Sequence, residues 1–472
     1  MFKTTKKVQV HFIGIGGIGM SALAEVLLQL GHAVSGSDVK SSSITLRLKS
    51  MGAQIFSGHH VDYLKGAHVC VYSSAVSSEN PEYLEALRTG VPLIKRAEML
   101  AELMRFKVGL AVAGTHGKTT TTSFLATILH EANLFPTHII GGIVANLEGS
   151  NGRWGKGEYL VAEADESDGS FLLLSPVMAV VTNIDNDHLD HYGGVQQLKD
   201  SFFSFLQRIP FYGTCSLNLH DSSLRQLRAR VQRPLVTFGL LQHPDLAGEV
   251  PDYAAHNIRY DSEGRSHFDL YYKGEMAVQD MMIQLPGEHN VLNALGAISL
   301  AHQCDLNFEE IAKGIKAFCG VGRRLERLYT NEGRRINIID DYGHHPTEIK
   351  ATIKTVRELY PQRRFVVLFE PHRYKRTKDC WGEFLHCFNL ADEVFFFPIY
   401  PAGERPIEGI NHVRLMDDIN QLHPSLVSSM ENLSEMNAFI EKIIAGGEET
   451  VVLTLGAGAI GKSIRDILGE RR

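Results

Sequence analysis

The run Gly114-Thr-His-Gly-Lys118-Thr-Thr-Thr-Thr-Ser123 follows an apolar stretch from Val108 to Ala113 and precedes an apolar helical pattern. A strand, a glycine turn and a helix in that order aim successive backbone N–H groups, and the positive end of the helix, at one point. That is a seat for the phosphates of a nucleoside triphosphate such as ATP. Gly114, Thr115, His116, Gly117 and Thr120 would line it. Lys118 would place a cation at the β- and γ-phosphates, and Thr119 a hydroxyl on Mg²⁺. The match to the common triphosphate turn is partial, because that pattern needs a glycine where this chain has Val112. The turn here is shorter, Gly-Thr-His-Gly-Lys-Thr.

Two further clusters fall at the ends of predicted strands in the same region. Glu163-Ala-Asp165-Glu166-Ser-Asp168 ends the strand Tyr159–Glu163. Four carboxylates in six residues suit a hard cation, which needs oxygen ligands; a solvated acidic turn is the alternative. Thr182-Asn183-Ile-Asp185-Asn-Asp187-His188-Leu-Asp190-His191 suits a second metal or phosphate contact, with His188 as a ligand or as a structural imidazole. His289-Asn290-Val-Leu-Asn293 opens a helix. Asn290 and Asn293 can offer a donor and an acceptor to a base edge, or simply cap that helix.

Near the N-terminus, Gly14-x-Gly16-x-x-Gly19 follows the strand 8–13, and Asp38 ends the next strand at a distance fitting a ribose contact. This fits a dinucleotide fingerprint, or any turn that holds a diphosphate. Ser73 and Ser74, after the strand 68–72, add hydroxyls at the same sheet edge. Toward the C-terminus, Asp340-Asp341-Tyr342-Gly343-His344-His345-Pro346 and Glu370-Pro371-His372-Arg373-Tyr374-Lys375-Arg376 each follow a strand, where open α/β sheets bind substrates. Arg373 and Arg376 can clamp a carboxylate or phosphate. Gly456-Ala-Gly458-Ala-Ile-Gly461-Lys462 is another helix-opening glycine turn.

The elements needed to position these groups alternate strand and helix, with short glycine turns, in three blocks. The expected fold is α/β with parallel, doubly wound sheets. The blocks span 1–106, 107–322 and 323–472, with Gly320-Val-Gly322-Arg323-Arg324 at the last boundary. The first and third are Rossmann-like; the second is a P-loop ATPase-like parallel sheet with an antiparallel β insertion near 242–274. A chain of 472 residues is too long for one core. A net charge of −7 argues against nucleic-acid binding through bulk charge. No apolar run approaches the ~18–20 residues of a membrane span. Lys3, Lys6 and Lys7 before Val8–Ala24 imitate a leader, but His11 and four glycines break the apolar core, so the expected location is the cytoplasm. Six cysteines without a Cys-x-x-Cys pair read as reduced, mostly buried thiols.

Seven motifs occur in fixed order: Gly-Ile-Gly-Gly-Ile-Gly-Met-Ser, Gly-Thr-His-Gly-Lys-Thr, Glu-Ala-Asp-Glu-Ser-Asp, His-Asn-x-x-Asn, Gly-Arg-Arg, Asp-Asp-Tyr-Gly-His-His-Pro and Glu-Pro-His-Arg-Tyr. Over essentially its whole length the chain resembles the Mur ligases, most closely the branch that joins L-alanine to UDP-N-acetylmuramate. The resemblance implies a UDP-sugar domain, a central ATPase and an amino-acid domain. It implies an ATP-driven amide ligation through an acyl phosphate, serving peptidoglycan precursor synthesis. By the same resemblance Gly14, Gly16, Gly17 and Gly19 hold a UDP diphosphate instead of NAD, beside Asp38, Ser73 and Ser74. Lys118 and Thr119 match the ATP lysine and metal hydroxyl; Glu163 and His188 match ligands of Mg²⁺ (or Mn²⁺). Asn290, Asn293, Arg324 and Asp341 match nucleotide contacts. Tyr342, His372, Arg373 and Arg376 fall where alanine and the sugar carboxylate are received, with His372 positioning or deprotonating the amine. The departures are Gly169, where alanine is expected, Ala459, where a polar residue is common, and Asp187-His188-Leu-Asp190-His191, which varies around the expected Asp-His but keeps the pair. The resemblance also implies domain closure, a monomer or weak homodimer, and no nucleic-acid or membrane partner. A relative adding another amino acid or a peptide, an NAD-dependent oxidoreductase, and a non-catalytic ATP-driven switch are the competing functions.

Overall fold

The computed structural model describes residues 7–469, except 145, 146, 148 and 247 and the side chains of Asp190 and Leu433; Lys3 and Lys6 therefore lie outside the described residues. The strands build three sheets. The first holds β1 (Gln9–Ile13), β2 (Ala33–Asp38), β3 (Gln54–Ser57), β4 (Val69–Tyr72) and β5 (Leu93–Lys95), in the order β3-β2-β1-β4-β5. All its pairs are parallel. The chain leaves β1 toward one edge and returns on the other side of it. The crevice past the carboxyl ends of β1 and β4 is thus a topological switch point. Gly14 follows β1 there, and Ser73 follows β4.

The second sheet holds β6 (Val108–Ala113), β7 (Thr137–Val144), β8 (Ser150–Arg153), β9 (Tyr159–Glu163), β10 (Met178–Val181), β11 (Thr214–Asn218), β12 (Leu235–Leu240), β13 (Tyr253–Tyr260), β14 (Ser266–Tyr272) and β15 (Glu275–Ile283). Their order is β15-β14-β13-β12-β11-β10-β6-β9-β7-β8. β6 lies between β10 and β9, parallel to both. A strand covered on both faces must be apolar throughout, and Leu110 to Ala113 are wholly buried. The expected insertion is present but differs in its bounds and attachment. β13 pairs parallel with β12, so β13–β15 extend the central sheet. The two residues between β14 and β15 allow only an antiparallel hairpin.

The third sheet holds β16 (Glu326–Asn331), β17 (Ile336–Asp341), β18 (Arg364–Phe369), β19 (Glu393–Phe396), β20 (Val427–Ser429) and β21 (Thr450–Leu455), in the order β16-β17-β21-β18-β19-β20. Only β16 runs antiparallel. The helix Pro346–Leu359 starts cleanly: the His345 side chain accepts from Thr347 N–H, proline opens the first turn and Glu348 completes a capping box. After β18 the chain forms two short helices, Tyr374–Asp379 and Trp381–Phe384. Cys380, at φ −97° and ψ 16°, interrupts them.

The chain forms two compact units. One comprises Met1–Arg259, His267–Gln284 and Asn290–Cys319; the other comprises Tyr260–Ser266, Leu285–His289 and Gly320–Arg472. Within the first, the helix Ile18–Gln29 packs on β8 so closely that a Cβ on Gly152 would lie 2.2 Å from the Ala22 carbonyl oxygen. Polar groups fix that contact. Asn151 Nδ2 donates to Ile18 O at 2.7 Å, Ser150 Oγ to Glu25 at 2.8 Å, and Arg47 to Glu25 at 3.2 Å. In the second unit, apolar clusters cover both faces of the third sheet. Five cysteines are buried thiols and Cys319 is exposed. Among the described residues, no helix is long and apolar enough to cross a membrane.

Candidate functional site

The turn after β6 is built as its sequence implies. Gly114 (φ +130°) and Gly117 (φ +84°) take conformations that favour glycine. Neither has room for a side chain: a Cβ would sit 2.1 Å from Thr182 Oγ1 at Gly114 and 2.2 Å from Asn293 Oδ1 at Gly117. No side chain caps the 14-residue helix Lys118–Glu131. Its first N–H groups therefore face the turn as an anion seat. Asn293 lies against the turn and donates to Asn290 at 3.4 Å, both residues being buried.

The segment after β10 braces this turn. Thr115 N–H donates to Asn183 O (3.1 Å) and His116 N–H to Asn183 Oδ1 (2.8 Å). Thr182 Oγ1 donates to His116 O (2.6 Å) and Asp185 N–H to Thr115 Oγ1 (2.9 Å). Asp185 Oδ2 also lies 3.0 Å from His116 Nε2. Asn183 and Asp185 thus shape the seat. His188 takes the left-handed region (φ +56°), its N–H on Asp187 Oδ1 at 2.9 Å.

The acidic run divides its labour and does not form one cation site. Lys118 Nζ folds onto Glu166, at 2.7 and 2.9 Å, and onto the carbonyls of Gly114 and Thr115 at 2.6 and 3.1 Å. Burial opposes the Lys118 charge, but Glu166, Asp165 and Glu163 outweigh it and hold its pKa above the ordinary value. Burial pushes Glu166 up to about 7 against the pull of Lys118. Asp165 pairs with Arg96 at 2.9 Å. Its burial is outweighed by Arg96 and Lys118, so its pKa lies low. Asp168 accepts from Ser170 N–H at 3.0 Å. Glu163 remains beside the turn, hydrogen-bonded to Gly141 N–H at 2.6 Å and to the Thr119 side chain. Burial raises its pKa, partly offset by Gly141 and Lys118.

At the first sheet, Gly14 and Ile15 N–H donate to Ser37 O, at 2.9 and 3.0 Å, and Gly16 N–H donates to Asp38 Oδ2 at 2.9 Å. Asp38 therefore holds the turn itself. Gly17 opens the helix Ile18–Gln29, which no side chain caps. Ser73 is half-buried and Ser74 exposed beyond β4. Arg96, absent from the sequence-based candidates, has its guanidinium 3.0 Å from where a Cβ on Gly19 would stand. Its position immediately after β5, at the same carboxyl edge, is the signal that reveals it. Glu166 carries a similar signal in its acidic run, but nothing local joins it to Lys118.

In the second unit, the guanidinium carbons of Arg323 and Arg324 lie 4.9 and 5.2 Å from the centre of the Tyr342 ring. Arg324 also lies 3.6 Å from Glu348. Asp341 braces the backbone beside Arg324. Its two oxygens accept from Leu325 and Gly343 N–H, each at 2.8 Å. It fixes the segment that presents Arg324, where Arg323 (φ +62°) and Leu325 (φ +47°) are both left-handed. The His372 ring stacks on Tyr400, 5.5 Å between centres, and its Nδ1 lies 3.4 Å from Arg376 Nη1. Burial, then Arg376 and Arg373, lower its pKa to about 4. Arg373 (φ +73°) is engaged by Glu404 at 2.7 Å, and the buried Arg376 lies against His372.

Comparison with known proteins accords with this arrangement. Residues 9–108 match the Mur ligase family catalytic domain, 112–301 the Mur ligase middle domain and 323–458 the Mur ligase glutamate ligase domain. The chain is 48% identical over 452 residues to a UDP-N-acetylmuramate–L-alanine ligase of Solidesulfovibrio magneticus, covering 96% of both chains. It is 47% identical over 456 residues to the ligase of the same description from Geobacter sulfurreducens, again covering 96% of each. The crystal structure of UDP-N-acetylmuramate-alanine ligase from Thermotoga maritima superposes with a TM-score of 0.82 at 30% identity, over 98% of this chain and 99% of that one. A murein peptide ligase of Psychrobacter arcticus shares the fold, with a TM-score of 0.71 at 23% identity. The chain belongs to the Mur ligase family, with its three-domain α/β architecture.

Proposed function

We infer that this chain is an ATP-dependent ligase that joins L-alanine to the lactyl carboxylate of UDP-N-acetylmuramate, releasing ADP and phosphate, in peptidoglycan precursor synthesis. The observation that carries this is its near-full-length identity with L-alanine ligases. The glycine turn supplies the matching chemistry, with its uncapped helix and Lys118. A carboxylate is a poor acyl donor, and phosphorylation gives it a good leaving group. The amine of alanine then attacks the acyl phosphate, and the tetrahedral adduct expels phosphate.

Gly114 to Thr120 form the ATP seat, and Lys118 balances charge on the transferred phosphoryl group. Asn290 and Asn293 line the nucleotide side, with Arg324 as a further contact. The fit for a divalent cation rests on Glu163, whose carboxylate meets Thr119 beside the turn; His188 is the third candidate ligand. Mg²⁺ or Mn²⁺ bound there neutralises triphosphate charge. The UDP diphosphate sits on the turn Gly14–Gly19, flanked by Ser73, Ser74 and Arg96. Tyr342, His372 and Arg376 receive alanine and the sugar carboxylate, with Arg373 in support. Domain boundaries at 106/107 and 322/323, and a cytoplasmic location, complete this account. The NAD-dependent alternative leaves Lys118 and Glu163 without a task.

The test is phosphate release with each component omitted in turn. Release must require ATP, divalent cation, UDP-N-acetylmuramate and L-alanine together. Equal release without the sugar nucleotide would contradict the ligase function.

A further inference from the structure

Beneath the first sheet's glycine turn lies a carboxylate that the ligation chemistry does not use. Glu82, at the start of the helix Pro81–Thr89, is wholly buried, as are His11 on β1 and Ser37 on β2. Its Oε2 lies 2.8 Å from His11 Nε2 and accepts from Ser37 Oγ at 2.7 Å. Its Oε1 lies 3.1 Å from His59 Nδ1 and accepts from His60 N–H at 3.1 Å. His59 Nδ1 is also 3.0 Å from Ser37 Oγ, and His11 Nδ1 is 2.9 Å from Ser35 Oγ. The proton inventory closes with Glu82 ionised. His11 Nε2, the Ser37 hydroxyl, His59 Nδ1 and the His60 backbone N–H are all positioned to donate to it. Burial works against that charge, and His11, Ser37 and His59 outweigh it, holding the carboxyl below its usual range.

Ser37 links this cluster to the ligand seat. Its hydroxyl is tied to Glu82, while its carbonyl takes the N–H groups of both Gly14 and Ile15. The next residue, Asp38, takes Gly16 N–H. Three consecutive turn N–H groups are thus held by a dipeptide whose side-chain anchor is Glu82. A buried carboxylate with four donors fixes geometry more firmly than a packed apolar side chain, because any displacement leaves a charge unsatisfied. We propose that Glu82 is a positioning residue for the UDP-sugar diphosphate, setting the Gly14–Gly19 turn through Ser37. The inference rests on the proposed function, which places that ligand on this turn.

The test is titration calorimetry of UDP-N-acetylmuramate into the wild-type protein, Glu82→Gln and Ser37→Ala, with steady-state kinetics alongside. In Glu82→Gln the amide must set its NH₂ against groups that are donors. Loss of the charge-assisted anchor predicts a rise of about tenfold or more in Kd and KM for UDP-N-acetylmuramate. Ser37→Ala predicts a rise of roughly threefold to tenfold. Both should keep kcat and the KM for ATP within about twofold of wild type, as expected for uniform binding. Unchanged sugar-nucleotide affinity in either folded variant overturns the inference, as does an equal loss for ATP and sugar. Should Glu82→Gln fail to fold, Ser37→Ala decides alone by the same criteria. If the wild-type protein itself binds no UDP-N-acetylmuramate, the proposed function fails and takes this inference with it.

Discussion

Two glycine turns in this chain look alike in sequence and differ in what fills them. Gly114-Thr-His-Gly117 opens the helix Lys118–Glu131, and Gly456-Ala-Gly458-Ala459 opens the helix Ile460–Gly469; each follows a buried strand of a parallel sheet. At the first, no side chain caps the helix, and the only cation in the turn is Lys118. At the second, the chain supplies its own anion. Glu370 Oε2 accepts from Ile460 N–H at 3.2 Å, and a Cβ on Gly458 would lie 2.4 Å from that oxygen. The same backbone device serves as a seat in one place and as internal scaffolding in the other. A carboxylate that accepts from the helix's own first N–H groups marks the second; at the first, Glu166 pairs with Lys118 instead. Gly458 is small to admit Glu370, whereas Gly117 is small to admit Asn293 and keep the turn tight.

The comparison breaks most visibly at Lys118. Lys118→Ala should lower phosphate release by about 10³-fold while leaving UDP-sugar binding intact. Survival of near wild-type release would remove the distinction between the two turns. The two arginines that follow β18 extend the comparison: Arg373 pairs with Glu404, and Arg376 is buried beside His372. Arg376→Ala should raise the KM for alanine about tenfold, whereas Arg373→Ala, already paired with Glu404, should raise it less than about threefold. Reversal of that order in steady-state kinetics would move the amino-acid seat.

Glu370→Gln should cost about 1 kcal/mol of stability, the usual value of a lost helix cap, and leave the KM for ATP unchanged. Thermal unfolding and ATP kinetics report this. An altered ATP requirement would mean the second turn is a nucleotide site after all. The smallest effect lies at Glu166. Its pKa rises from 4.5 to about 7 on folding. Between those values the native protein holds a proton that the unfolded chain has released, so its contribution to stability falls as pH rises. Glu166→Gln should flatten the unfolding free energy across that window; an unchanged slope would show that Glu166 does not titrate there.

What was legible in the sequence follows the range of the forces involved. β6 and its turn read directly, because an apolar run, two glycines and a helical pattern are local signals. β7, with Thr-His-Ile-Ile-Gly-Gly-Ile-Val, and β8, with Ser-Asn-Gly-Arg, carry too many glycines and polar residues to read as strands. They are held by pairing with β9 and with each other, and by helix Ile18–Gln29, which packs against them from far away in sequence. β16 is a half-exposed edge strand and equally silent. At the site, the Lys118 position was readable, but its partner Glu166 is 48 residues away, and only the adjacency of β6 and β9 joins them. The filling of the Gly456 turn was hidden for the same reason: Glu370 directly follows β18, which lies beside β21 in space, and is 90 residues before Ile460 in sequence.

The most direct test of the central claim is mass spectrometry of the sugar nucleotide after incubation with ATP, Mg²⁺, UDP-N-acetylmuramate and a mixture of amino acids. The account predicts that UDP-N-acetylmuramate gains one alanyl residue, only when ATP is present and not with Lys118→Ala. An unmodified sugar nucleotide, or a product carrying a different amino acid or a peptide, would contradict it.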